Sequence, residues 1–222
     1  MKTFKPALSI LSKEQRAFLP GLAPAKDLGF TLYGGTAIAL RLGHRASVDF
    51  DFFTERGLDK EALYRAMPAL AGEVLQESAD TLVLSVAPKG MQDPVKVAFF
   101  ATISFGRFGE PELTDDRVLR VASLDDLMAT KLKAILDREE RKDYDDLAAL
   151  IEAKVDVSKG LAIARQMYRG FNPQVALTAL TYFDKLPRLP AKSKRLLVHA
   201  ARAVRELPDV RRASHSLSER TE

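Results

Sequence analysis

Apolar residues change their spacing along this chain, and the changes outline its elements. In "VDFDFF" (48–53) they alternate with polar residues, the period of a strand with one buried face. In "GTAIALRL" (35–42) they recur at helical spacing, directly after the short apolar run "FTLY" (30–33). A strand, a glycine junction and a helix are therefore expected over 30–42. Upstream, "LSKEQRAFLPGLAPAKDLG" reads as a helix broken by Pro20, Gly21 and Pro24. Downstream, "DKEALYRAMPAL" reads as a helix, and "EVLQES", "TLVLSVAP" and "PVKVAFFATISF" as strands. "RVLRVA" adds a short one.

At Ser123 the period changes to helical and stays so nearly to the end. "SLDD" has the form of a capping box, with Ser123 as N-cap and Asp126 three residues on. "NPQVALTALTYF" opens with Asn172 as N-cap and Pro173 at the first helical position. "AKSKRLLVHAARAVREL" is the last strong helix. The expected class is α+β: a mixed-sheet α/β domain over 1–122, a helical domain over 123–212, and a polar, flexible tail over 213–222.

Composition narrows the chemistry. With 222 residues, 46% of them hydrophobic and 29% charged, a sizeable core can form. There is no cysteine, so disulfides, zinc–thiolate sites and cysteine nucleophiles are excluded. With only three histidines, any metal is expected to be hard and oxygen-ligated. No apolar run nears the roughly 18 residues that span a bilayer, and the first residues lack a signal-peptide pattern. A cytoplasmic protein with no membrane contact is expected. The net charge of +4 is uneven. Residues 185–222 hold ten Lys or Arg against four Asp or Glu, which leaves the rest at −2. The C-terminal part is the better candidate for touching a polyanion, although a solvated helix surface gives the same pattern.

Asp49 and Asp51 are the first chemical signal. Two residues apart in a strand, they share a face with Phe53, while Val48, Phe50 and Phe52 face a core. Two adjacent carboxylates repel, and a divalent cation removes the conflict. Mg²⁺ takes a few carboxylate oxygens and completes its shell with water and phosphate oxygens. Asp-x-Asp alone also fits the polar face of a half-exposed strand. Gly34 and Gly35 add to it, because glycine lets a backbone approach a ligand and the following helix presents free N–H groups. Thr36 adds a hydroxyl. A phosphate cradle followed by a two-carboxylate strand is the arrangement that nucleotidyl or phosphoryl transfer needs.

Together, "YGGTAIALRLGHRASVDFDFF" resembles the signature of the AbiEii/AbiGii toxin-type nucleotidyltransferases, within the DNA-polymerase-beta-like superfamily. Gly34, Gly35, Thr36, Asp49 and Asp51 match its pattern by position, and Arg45 and Ser47 fall where such residues are usual.

A second cluster lies in "TKLKAILDREERKDYDDLAAL" (130–150). The apolar stripe of the first helix runs through Leu124, Leu127, Met128, Leu132 and Ile135, with Lys131 near its centre and Arg138 close to the same line. On the next helix Asp143 shares the apolar side with Leu147, Leu150 and Ile151, and Asp146 sits nearer the edge. A lysine on an apolar face snorkels or has an anionic partner. An ion pair from Lys131 or Arg138 to Asp143 can be purely structural, or Lys131 can reach a nucleotide with Asp143 orienting it. Lys131, Leu132, Ala134, Arg138, Lys142, Asp143, Asp146 and Leu147 are similar to the family's second block. The resemblance spans roughly 28–152.

One departure stands out. Many superfamily members carry a third carboxylate on a later strand, and the expected position here is close to Ala98, with no acid between Pro94 and Arg107. His44 is then a candidate base, or simply a loop residue at the rim. The resemblance implies a polymerase-beta-like domain that moves a nucleotide from an NTP to an acceptor with Mg²⁺ (Mn²⁺ as a substitute). Asp49 and Asp51 would hold the metal. Gly34, Gly35, Thr36, Ser47 and Arg138 would hold NTP phosphates, and Lys131 with Asp143 would complete the catalytic set. It further implies a toxin role with a cognate antitoxin, and RNA such as tRNA as acceptor. A catalytically inactive NTP-binding module and a protein-nucleotidylating transferase remain as alternatives.

Overall fold

The computed structural model describes residues 1–218. Among these, eight strands form one mixed sheet: β1 (Thr3–Phe4), β2 (Thr31–Tyr33), β3 (Asp49–Phe53), β4 (Glu73–Glu77), β5 (Thr81–Val86), β6 (Val95–Phe100), β7 (Glu112–Thr114) and β8 (Arg120–Val121). Their order across the sheet is β1-β7-β8-β2-β3-β6-β5-β4. The helices are α1 (Lys13–Phe18), α2 (Gly34–Leu42), α3 (Lys60–Ala66), α4 (Leu124–Asp137), α5 (Arg141–Glu152), α6 (Val157–Met167), α7 (Pro173–Ala179) and α8 (Ala191–Ala203). The α+β expectation holds. No helix among the described residues is long and apolar enough to cross a membrane.

The local signals work as their chemistry requires. Ser12 and Gln15 close a reciprocal capping box on α1, and Pro20, Gly21 and Pro24 fall in a 3₁₀ helix, Leu19–Lys26. Asn172 caps α7 with Pro173 at its first turn. Ser123 caps α4, but the box is only half made. Asp126 turns its carboxylate to the backbone N–H groups of Phe108 (3.0 Å) and Gly109 (3.3 Å). Burial raises the Asp126 carboxyl to about 7, against the pull of these hydrogen bonds. β1 and β7 are absent from the hydrophobic pattern, because strands of two and three residues are too short to show a period.

One continuous buried core joins both halves of the chain. It runs from Leu32, Phe50 and Phe99 in the sheet through Leu127 and Leu132 of α4 to Leu161 of α6 and Leu197 of α8. The sheet-and-helix boundary at 122/123 is thus a change of element type inside one core. Val48 departs from the expected alternation: it precedes β3 and is 68% exposed. The tail expectation is corrected for 213–218. Leu217 is fully buried, its carbonyl accepts from Thr31 Oγ1 (3.0 Å), and its N–H donates to Glu55 (2.9 Å). Arg107, itself buried, donates to the Ser216 carbonyl (2.5 Å) and pairs with Ser214 through the backbone. A polar sequence here satisfies buried sheet-end groups, which composition does not reveal. Residues 219–222 of the expected tail lie outside the described residues.

Candidate active site

The site starts at the β2–α2 junction. Gly34 has φ of +73°, and a Cβ there would overlap Asp51 Oδ2. Glycine is needed twice over, for the backbone conformation and for the close approach of the carboxylate. At Gly35 a Cβ would overlap the Arg45 guanidinium. No side chain caps the N-terminus of α2. Gly34→Ala is expected to cost about 1–3 kcal/mol from the left-handed backbone alone. Thermal melts should show a fall of several degrees.

β3 carries the two aspartates. Its burial alternates as the period predicts: Phe50 and Phe52 are buried, and Asp49, Asp51 and Phe53 are half-buried. Phe52 stacks on Phe99 at 5.3 Å, which fixes the strand from behind. β3 pairs with β2 antiparallel and with β6 parallel. In that register Asp49 lies opposite Lys96 and Asp51 opposite Ala98. Directly paired residues share a face, so Lys96, Ala98 and Phe100 stand beside the aspartates. The position expected for a third carboxylate is therefore taken by Ala98, and Lys96 brings a cation to the same face. Among the described residues no group of three or more His, Cys, Asp or Glu side chains is placed to hold a metal. Burial raises the Asp51 carboxyl, the charge of Asp49 adds to this, and Lys96, Lys131 and Arg138 oppose it.

A cleft of about 300 Å³ opens over this face. Gly34, Gly35, Ser47, Asp49, Asp51, Lys131 and Arg138 all line it, joined by Arg45, Lys96 and Lys142. Five cations thus surround two carboxylates. Lys96 makes no ion pair among the described residues. Its place was legible only through the β3–β6 register. Thr36 and Asp143 do not line the cleft. The Thr36 hydroxyl is buried, donates to the Asp49 carbonyl and lies 2.8 Å from Ser47 Oγ. Thr36, expected to hold phosphate, thus also ties the start of α2 to the start of β3 and so positions Asp49.

Asp143 and Asp146 form a buried anionic floor under the cations. Lys131 Nζ lies 2.6 Å from Asp143 Oδ1 and 2.7 Å from Asp146 Oδ2. Arg138 donates to both oxygens of Asp143, at 2.8 and 3.2 Å. Arg45 grips Asp146 with two parallel bonds, 2.6 and 2.8 Å. Asp146 was expected at the helix edge, but it is fully buried. His44 Nε2 is 2.7 Å from Asp146 Oδ1. That bond directs His44 to Asp146, where it helps hold the floor and is not aimed at the cleft as a base. Burial would raise both carboxyls. For Asp146, the hydrogen bonds from His44 and Arg45 and the charge of Lys131 outweigh it and hold the group below its ordinary range. For Asp143, Arg138 and Lys131 do the same. The pair keeps Lys131, Arg138 and Arg45 extended in fixed positions at the cleft wall.

Two carboxylates on a rigid strand fit a hard cation that takes its remaining ligands from water and phosphate, and the ring of cations fits a polyphosphate. Comparison with known proteins adds relatives, a fold and a family. The chain is 32% identical to an uncharacterized protein of Aquifex aeolicus over 181 residues, 78% of this chain and 84% of that protein. Among solved structures, MenT4, a nucleotidyltransferase toxin of Mycobacterium tuberculosis, aligns with a TM-score of 0.60 at 14% identity, over 89% of this chain and 82% of that one. A Helicobacter pylori protein described as a nucleotidyltransferase aligns with a TM-score of 0.56 at 18% identity, over 85% and 92%. At such identities these two show a shared fold. The model of the nucleotidyl transferase AbiEii toxin family, a type IV toxin–antitoxin system, matches residues 18–217, well past the 28–152 legible by motif. The chain belongs to the AbiEii family of nucleotidyltransferases.

Proposed function

We propose that this chain transfers a nucleotidyl group from an NTP to a hydroxyl of an RNA acceptor such as tRNA, with Mg²⁺ bound by Asp49 and Asp51. The observation that carries this reading is the paired carboxylates on β3, set against the Gly34–Gly35 turn and a wall of fixed cations. The acceptor oxygen bonds to the α-phosphorus as its hydroxyl proton passes to water, and the α–β phosphoanhydride bond breaks to release pyrophosphate. Bound Mg²⁺ would polarise the α-phosphate and lower the pKa of the attacking hydroxyl. The turn and the α2 N-terminus receive the phosphate chain. Lys131 and Arg138, held by Asp143 and Asp146, neutralise charge that grows on the departing pyrophosphate. Ser47 lines the same cleft, and Thr36 fixes the strand that carries the metal ligands. The basic 185–222 segment suits an RNA backbone. Family membership supports a toxin role with a cognate antitoxin.

The test is label transfer from each α-³²P NTP, with Mg²⁺, into total bacterial RNA and protein. Label in RNA is the expected result. Label in protein alone would replace the RNA acceptor with a protein hydroxyl. NTP binding with no transfer would make the chain a sensing or partner-binding module, the reading that Ala98 in place of a third acid favours. Lys131→Met should lower transfer about 100-fold or more. Its stability should fall as well, because Lys131 is buried between the two carboxylates, but by less than for loss of Asp146, since Asp143 keeps Arg138 and Asp146 keeps Arg45 and His44.

A further inference from the structure

The cations of the cleft are not equivalent. Arg45, Lys131 and Arg138 are anchored on Asp143 and Asp146, and Lys142 Nζ lies 2.8 Å from Glu140. Lys96 is exposed and makes neither an ion pair nor a side-chain hydrogen bond among the described residues. Its backbone lies in β6, inside the sheet, with Asp49 of β3 on one side and Ser85 of β5 on the other. Ser85 brings no charge to hold it. Of the three cations that oppose the raised Asp51 carboxyl, Lys96 acts most strongly. Lys96 is therefore a cation fixed at its root beside the aspartates and free at its tip.

Its side of the site matters. β3 has the glycine turn on its β2 flank, where Tyr33 pairs with Asp51 and Gly34 follows. Lys96 and Ala98 stand on the opposite flank. A phosphate chain that starts at the turn and ends over the aspartates points its α-phosphate towards Lys96. Charge shows what that flank needs. Three carboxylates with two divalent cations carry a formal charge of +1. With Ala98 at the third position, two carboxylates, one divalent cation and the Lys96 ammonium reach the same value.

We propose that Lys96 replaces the second metal ion of a two-metal site: the cleft takes one divalent cation, on Asp49 and Asp51, and the Lys96 ammonium supplies the remaining positive charge at the α-phosphate. The assignment rests on the metal- and NTP-dependent reading above and deepens it. A lysine ammonium is a compact charge with three donors on a flexible stem. It needs no third carboxylate to hold it, which leaves position 98 free for a small apolar residue. Lys96 is a catalytic residue in this scheme, because it touches the reacting phosphate. It offsets charge there and takes no proton.

The test counts bound Mn²⁺ on the full chain by electron paramagnetic resonance, alone and with the α,β-methylene analogue of each NTP, and measures both affinities. With the analogue, one Mn²⁺ per chain is expected, and two would overturn the assignment. Lys96→Met keeps the stem and removes the charge. It should bind Mn²⁺ alone about 5-fold more tightly, because a like charge beside the aspartates is gone, and the analogue about 10-fold more weakly. Label transfer should fall about 100-fold. Lys96→Arg keeps the charge and should hold Mn²⁺ affinity at the unmodified value. A purely structural lysine would not move the two affinities in opposite directions. Unchanged analogue affinity in Lys96→Met overturns the assignment, and the function above stands so long as the unmodified chain transfers label. An unmodified chain that binds neither Mn²⁺ nor any analogue overturns the assignment and the NTP-dependent reading together.

Discussion

Asp51→Ala is expected to abolish label transfer, by about 1,000-fold or more, while raising the melting temperature of the metal-free protein. Asp49→Ala should lose transfer to the same degree and melt no lower than the unmodified chain. The loss follows from the proposed metal site, which has two protein carboxylates and no third at Ala98. Removing one leaves a single ligand, and several kcal/mol of transition-state stabilisation go with it. The stability gain follows from electrostatics. Burial and the charge of Asp49 raise the Asp51 carboxyl above its ordinary value. A folded-state pKa above the unfolded one means that the folded chain binds the extra proton. Stability therefore falls as pH rises through that interval, and the ionised group is a standing cost at neutral pH. Alanine removes the cost. Melts without divalent cation should show the variant ahead at pH 8, with the gap narrowing towards pH 4–5. Added Mg²⁺ should stabilise the unmodified chain and leave the variant unmoved. A variant that melts clearly lower at both pH values would make Asp51 a structural residue and remove the case for a metal site.

Asp146→Ala should have the largest effect on folding. Asp146 is fully buried and accepts from Arg45, His44 and Lys131. Its removal leaves three donors with only Asp143 nearby. Losing one member of a buried charged cluster costs about 3–5 kcal/mol. For a chain of this length that is a fall of about 6–20 °C in melting temperature. Asp146→Asn should recover part of it, because the amide oxygen still accepts one hydrogen bond. The pH signature has the opposite sign to that of Asp51. Asp143 and Asp146 are held below the ordinary carboxylate value. Their contribution is complete above about pH 4, the unfolded value, and is lost as pH falls further. In the unmodified protein an acid titration should thus show melting temperature dropping below pH 4, and Asp146→Ala should flatten that limb. Equal melting temperatures for Asp146→Ala and the unmodified chain would mean that Lys131 and Arg45 find solvent, and that the floor under the cleft is not needed to hold them.

What the sequence determined by itself is whatever depends on residues close together in the chain. The two-residue period of 49–53 placed both aspartates on one face of β3, and the structure keeps them there. The glycine junction before a helical run marked the turn where Gly34 adopts positive φ. Ser123 and Asn172 opened helices because a cap needs only its own first turn. The charged residues on the apolar faces of α4 and α5 announced a buried ion pair, since a lysine or aspartate on such a face must find a partner.

Tertiary structure decided everything that depends on register or on distant packing. Only the β3–β6 pairing puts Lys96 opposite Asp49 and Ala98 opposite Asp51, because a strand's own period says nothing of its neighbour's offset. Asp146, at the edge of a helical wheel, is buried because Arg45 and His44 come to it from a loop about a hundred residues earlier. Thr36 gave up its hydroxyl to Asp49 and Ser47 once α2 folded back on β3. The polar segment 213–218 is fixed because Thr31, Glu55 and Arg107 present hydrogen-bonding groups there that burial obliges the fold to satisfy. The residue types of the site could be read along the chain. Their assembly into one cleft needed the sheet to close.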